Sequence, residues 1–275
     1  MTATGEATGQ RGHWDGVYSD TPDFFGEDPS EVARTAGEAF RCAGVTHLLE
    51  LGFGQGRDTF FFARQGVRVT GFDYSPHAVE IVRARSLELG LSDRVRVAEH
   101  DLRQPIPLPD GSVDACFAHM LLCMELSVAE ISYILREIHR VLCPGGLVVY
   151  TVRSSHDKHY GMGSRLAADM YDVGGFVVHF FTEAKIRRLA EGFDELQVER
   201  VEEGSLPRDL FHVTMKKVDG FDFEAAAGPS QEGQMSEAMG KFQEFFDATY
   251  GAGVIDRKTK HLLALSASLA AGCDL

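Results

Sequence analysis

Glu50-Leu51-Gly52-Phe53-Gly54-Gln55-Gly56 closes the apolar run THLLELG (46–52) and opens a helix candidate at about 57–65. Glycines at such a junction let the backbone turn sharply and approach a ligand with no Cβ in the way. Two glycine patterns compete here. A dinucleotide site uses G-x-G-x-x-G, with the pyrophosphate on the helix N-terminus. In this chain the spacing is G-x-G-x-G, and Arg57 stands where the third dinucleotide glycine should be. That substitution counts against NAD.

Working outward from the glycines, short β-rich stretches alternate with helical patterns. VRVTGFD (67–73), RVRVAEH (94–100), VDACFAH (113–119) and GGLVVYTVR (145–153) are nearly continuous in apolar residues or bounded by turn signals. This is expected of strands covered on both faces. Helix candidates fall at 57–65, 76–89 and 128–142, so the order is that of βαβ units. Ser75-Pro76 reads as an N-cap with proline in the first helical position, and Pro144-Gly145-Gly146 as the stop before the fifth strand. A helix near 182–192 and strands LQVERVEE (196–203) and LFHVTMKK (210–217) complete the pattern. The fold class is therefore α/β, a doubly wound, seven-stranded, mainly parallel sheet with a C-terminal helical appendage. The division predicted is a disordered tail and helical cap over 1–39, the sheet domain over 40–217, a linker over 218–233 and the appendage over 234–275.

Composition narrows the function classes. Apolar residues make up 44% and charged residues 25% of the 275, as in an ordinary globular protein. No run approaches the roughly 18 apolar residues of a membrane span, and MTATGEATGQRGH has neither the basic nor the apolar region of a secretory signal. That opening reads as a disordered tail. Cys42, Cys116, Cys123, Cys143 and Cys273 form no CxxC, which fits buried thiols in a reducing cytoplasm. A net charge of −14 disfavours a nucleic-acid partner, since lysine and arginine on phosphates drive that binding. A small molecule is the expected partner, with no membrane involved.

Asp73 closes the second strand, 21 residues after Gly52, where a carboxylate can accept both hydroxyls of a ribose. Tyr74 beside it could lie against an adenine face. His100-Asp101-Leu102 ends the third strand, and an aspartate there could take the adenine amino group. All three project from the carboxyl ends of adjacent strands, where doubly wound folds bind ligands. Glycines, ribose acid and adenine acid in that order form a specific combination.

With these residues the chain resembles class I S-adenosylmethionine-dependent methyltransferases. LLELGFGQGRDTFFFARQGVRVTGFDYSPHAVEIVRAR is similar to their first two motifs and VLCPGGLVVYTV to their segment before strand five. GQGRD, an aromatic helix and DYSP resemble the tellurite-resistance-type small-molecule subgroup, as does His13-Trp14-Asp15-Gly16-Val17-Tyr18 its N-terminal cap. The resemblance implies S-adenosyl-L-methionine as cofactor, with Gly52, Gly54 and Gly56 cradling its methionine part and Glu50 in the same set. It further implies Asp73 and Tyr74 at the ribose and adenine, Asp101 and Leu102 at the adenine, and Ala118 and His119 at the methionine end. Tyr18 would help to close the site. The implied activity is in-line methyl transfer to a small-molecule acceptor. Two rivals are an NAD-type oxidoreductase and a catalytically idle methyltransferase fold used for binding or assembly.

Candidate catalytic residues are His119, after strand four, and His159 and Tyr160 in VRSSHDKHYGMG, a polar loop expected over the pocket mouth together with Arg153 and His156. For each the plain alternative is a satisfied structural residue or a solvated loop. His179, in an apolar segment, reads as core, and Gly174-Gly175 could let that segment act as a lid. Cys116 and Cys123 tempt a soft-metalloid reading, but a strand position for Cys116 argues against it, and no metal is expected. Trp14 could face the sulfonium as a cation–π partner or simply pack. FDATYGAGVIDRKTKHLLALSASLAAGC resembles the opening helices of the carboxymuconolactone decarboxylase (alkylhydroperoxidase D-like) family, stopping before the second cysteine and the histidine of its redox site. A homodimer through the C-terminal helices is the role this leaves.

Overall fold

The structure is a computed structural model that describes residues 10–21, 23–203 and 208–226. The expectations for the tail 1–9, for the linker past 226 and for the helices of 234–275 lie outside the described residues. The chain parts into two units at Phe221–Asp222. Of the second, the described portion holds a short helix, Phe223–Ala226.

The first unit is built on the sheet. Strands β1 (His47–Leu51), β2 (Arg68–Asp73), β3 (Val95–Glu99), β4 (Val113–Ala118), β5 (Leu142–Arg153), β9 (Phe193–Glu203) and β10 (Arg208–Lys217) lie in the order β3-β2-β1-β4-β5-β10-β9. The first five are parallel, and β10 runs antiparallel between β5 and β9. Because successive side chains point to opposite faces, the strands feed two cores. Leu49, Leu51, Cys116, Ala118, Val148, Tyr150 and Val152 go to one. Leu48, Val69, Ala115, Phe117 and Val149 go to the other. Helices α5 (Val128–Val141) and α6 (Glu183–Leu189) contribute to the first core, and α2 (Glu31–Cys42), α3 (Arg57–Arg64) and α4 (Pro76–Glu88) to the second. This is the doubly wound arrangement.

Helix ends follow local chemistry. Ser75 accepts the Ala78 N–H with Pro76 at the first helical position, and Ser127 with Glu130 makes a full capping box at α5. The buried side of α5, Ile131, Ile134, Leu135, Ile138 and Val141, keeps the helical period. Pro144-Gly145-Gly146 differs from expectation. Helix α5 ends at Val141 and the strand already begins at Leu142, paired with Val113, so the motif lies inside β5 at a shift of register. The residue before a proline is pushed out of the α region, which ends the helix early enough for the strand to start there.

The N-terminus differs as well. Gln10 to His13, read as disordered tail, begin helix α1 (Gln10–Asp20). Tertiary contacts hold this turn. Gln10 is buried, its side-chain amide oxygen Oε1 accepts the Glu125 N–H at 3.1 Å, and Arg11 pairs with Glu99 at 2.6 Å.

Between β5 and α6 the chain folds into a small antiparallel sheet of β6 (Ser164–Ala167), β7 (Met170–Asp172) and β8 (Val177–His179), unpredicted from sequence. Its strands are three or four residues long, too short to show a period. Among the described residues no helix is long and apolar enough to cross a membrane.

Ile138 is fully buried at the centre of the α5 stripe, whereas Val128 on the same helix is 45% exposed. Ile138→Ala should cost about 2–5 kcal/mol of unfolding free energy in urea and Val128→Ala about 0.5 or less.

Candidate active site

The carboxyl ends of β1 and β2 meet over one carboxylate. Asp73 Oδ2 accepts the Gly54 N–H at 2.9 Å and Oδ1 accepts the Ser75 N–H at 3.0 Å. The glycine turn and the cap of α4 are thereby fixed to a single side chain. Each oxygen keeps a further lone pair for a ligand. Burial pushes the Asp73 pKa up to about 6 against the pull of those backbone donors.

The turn itself needs its glycines. Gly54 has φ +54°, and a Cβ there would lie 2.7 Å from the Tyr18 hydroxyl. Gly56 has φ +85°, and its Cβ would lie 2.7 Å from Val82 Cγ2. Gly52 and Gly54 line a cavity of about 410 Å³ with Glu50, Asp73, Tyr74 and Tyr18. Gly56 is buried and outside that lining, so here it serves the packing of α3 on α4.

A second cavity of about 260 Å³ adjoins the first, sharing Tyr74, Leu121 and Met124. Asp101 and Leu102 line it, and Gln10 and Arg11 of α1 cover it. Asp101 Oδ1 accepts the Arg103 N–H at 3.0 Å. The described site thus runs from the glycine turn to Asp101, over the ends of β1, β2 and β3.

At the other side of the large cavity stands His119. Its Nδ1 is 2.9 Å from the Thr151 hydroxyl, which accepts the Met120 N–H, and its Nε2 is 3.3 Å from Glu203 Oε2. Burial, reinforced by Arg57 and Arg208, pushes the imidazole down to about 3, so it is neutral at physiological pH. Ala118, next to it, is buried and lines neither cavity. The roof is aromatic. Trp14 stacks on Tyr18 with centroids 5.7 Å apart and meets Phe25 and the edge of Phe176, the residue after Gly174-Gly175.

Two expected catalytic residues lie elsewhere. His159 and Tyr160 line neither cavity. His159 Nδ1 is 3.0 Å from Asp157 Oδ1, and the Tyr160 hydroxyl donates to Asp169, which raises its pKa to about 12. His156 lines neither cavity, whereas Arg153 lines the larger one, held by two bonds to Asp157. Burial opposes ionisation of Asp157, but Arg153 and the backbone N–H groups of His159 and Asp209 outweigh it and lower the pKa to about 2. His179 is buried, within hydrogen-bond distance of the Leu126 carbonyl and the Lys185 ammonium. Sequence reasoning missed Glu203, Arg208 and Phe176. Glu203 ends an ordinary charged strand, and only the pairing of β9 with β10 brings it to His119.

Residues 48–146 match the family model described as a methyltransferase domain. Relatives include a sterol 4-C-methyltransferase of Caenorhabditis elegans, 27% identical over 65% of this chain and 54% of that protein. A demethylmenaquinone methyltransferase of Tropheryma whipplei is 35% identical over 44% of this chain and 48% of its own length. The chain spans about half the length of these relatives. Among solved structures, the 1,6-didemethyltoxoflavin-N1-methyltransferase of Burkholderia thailandensis superposes with a TM-score of 0.60 at 22% identity, covering 80% of this chain and 93% of that one. The sheet domain therefore has the Rossmann-like fold expected of it.

Glu50 is buried in the cavity wall of this domain with Oε2 unbonded, and burial, then Asp58 and Asp73, raise its pKa from 4.5 to about 8. A group raised on folding gives its stability below 4.5 and loses it as the pH climbs towards 8. Glu50→Gln should therefore flatten the fall in urea midpoint between about pH 5 and about pH 8, with the larger gain at the higher pH.

Proposed function

We propose that the chain is an S-adenosylmethionine-dependent methyltransferase acting on a small-molecule acceptor. The observation that carries this reading is the Asp73 carboxylate, tied to the glycine turn and facing the cavity. Gly52 and Gly54 would receive the methionine part, Asp73 the ribose hydroxyls, and Tyr74, Asp101 and Leu102 the adenine in the adjoining cavity. The residues present fit that group: a turn that a Cβ would block, a buried carboxylate with open lone pairs, and a buried carboxyl oxygen at Glu50 without a partner. S-adenosylmethionine supplies a sulfonium methyl whose departure needs no acid.

The protein's part is then alignment and exclusion of water, an effect that can reach about 7–11 kcal/mol. Trp14, Tyr18, Phe25 and Phe176 close the large cavity from α1, the following loop and the β7–β8 hairpin. That use of α1 supports placing the chain in the tellurite-resistance-type subgroup. The names of the relatives span sterol and quinone chemistry, which favours an apolar acceptor, as do the aromatic walls. His119 borders the acceptor side in this reading. His159 and Tyr160 brace the loop that carries Arg153.

Titration calorimetry with S-adenosylhomocysteine tests the reading. Binding in the micromolar range is expected, none with NADH, and a loss of about 1–3 kcal/mol in Asp73→Ala from the unmade hydrogen bonds. A folded protein that ignores S-adenosylhomocysteine would sink it.

A further inference from the structure

The acceptor side of the large cavity holds a carboxylate with one oxygen unsatisfied. Glu203 Oε2 is buried and accepts no hydrogen bond, although it lies 3.3 Å from His119 Nε2, and Oε1 is 3.6 Å from Arg57 Nη2. Buried acceptors are ordinarily satisfied, so an open one facing a cavity points to a donor brought by a ligand. Burial raises the Glu203 pKa, which makes the carboxylate a better proton acceptor than a solvated one.

The surrounding charge says which donor. Arg57 and Arg208 both act on His119 and on Glu203, so two guanidinium groups bear on the place where Glu203 faces the cavity. Arg208 has no ion-pair partner among the described residues and lines the same wall. At this end of the cavity an ammonium acceptor would meet two guanidinium groups, while Glu50 and Asp73 lie at the ends of β1 and β2 and Asp58 is paired with Arg57. An acceptor that arrives neutral and becomes anionic on losing its proton would be favoured by them.

Resting on the reading above, we propose that the acceptor is an apolar molecule with a weakly acidic hydroxyl, a phenol or an enol, and that Glu203 takes its proton. The O–H bond breaks as the proton passes to Glu203 Oε2. The oxygen's electron pair forms the bond to the methyl carbon, and the carbon–sulfur pair stays with sulfur. Charge balances, since the carboxylate becomes neutral and the sulfonium a thioether. His119 and Thr151 are positioning residues, the hydroxyl holding the ring and the ring bounding the space in which the acceptor oxygen sits.

The full chain is tested with S-adenosylhomocysteine, 4-ethylphenol and phenethylamine as probes. In calorimetry the wild type and Glu203→Gln should bind S-adenosylhomocysteine within about twofold of each other, since Glu203 lies away from Asp73 in chain and strand. The S-adenosylhomocysteine complex should bind 4-ethylphenol and not phenethylamine. In single-turnover transfer of labelled methyl to 4-ethylphenol, Glu203→Gln should lose about 100-fold or more. Glu203→Asp, which keeps a carboxylate, should recover part of that rate, and thermal melting checks that each variant folds. His119→Asn should lower kcat with KM little changed. Preference for phenethylamine, binding of neither probe, or a Glu203→Gln rate within about threefold of wild type would each overturn the proposal. Failure of S-adenosylhomocysteine itself to bind would instead overturn the reading on which it rests.

Discussion

One carboxylate organises the ligand-facing edge of this protein. Asp73 ends β2, and its two oxygens accept one backbone N–H from the glycine turn after β1 and one from the start of α4. Two loops that could move independently are thereby set against each other. Such bonds from charged acceptors are worth more than neutral ones, and they hold the turn open at the one place where the backbone must face the cavity. The capping of α4 by Ser75, whose hydroxyl also donates to Asp15 of α1, extends the same arrangement to the N-terminal helix. Cradle, sheet and roof meet around this residue.

The cavity built on that edge is divided in its chemistry. The ends of β1 and β2 contribute acids, Glu50 and Asp73, that burial drives toward the neutral form. Arginines from α3, β5 and β10 contribute fixed positive charge. Between them the walls are aromatic and aliphatic. A net charge of −14 over the chain therefore says little about the site, where acids and arginines occupy different parts of the wall.

The sheet was legible because its signals are long. Strands β1, β2, β4 and β5 are buried on both faces over most of their length, and the helices between the strands carry caps and periods that local sequence displays. The glycine-turn side of the site was legible for a related reason: Gly52, Gly54, Asp73 and Asp101 come from consecutive strand ends, so order along the chain is also order in space. The His119 side gave no such signal. Glu203 reaches His119 from 84 positions away through antiparallel pairing at the sheet's far edge, and Phe176 arrives on a hairpin of three-residue strands. His159 and Tyr160 stood out by residue type, yet Asp157 and Asp169 claim them. Gln10 shows the converse, a polar residue in an unpromising stretch that is buried by a partner 115 positions away.

The small sheet is closed at its base. Ser154 and Phe181 pair as a parallel bridge, the Ser155 N–H donates to the Phe181 carbonyl, and the Phe181 N–H donates to the carbonyl of Arg153. The segment therefore leaves and re-enters the main sheet through neighbouring points, as an inserted module does. Loops closed in this way tolerate changes of length at small entropic cost. The part of the wall that would distinguish one acceptor from another is thus replaceable as a unit, and lineages sharing this scaffold could exchange it while the cofactor edge stays as it is.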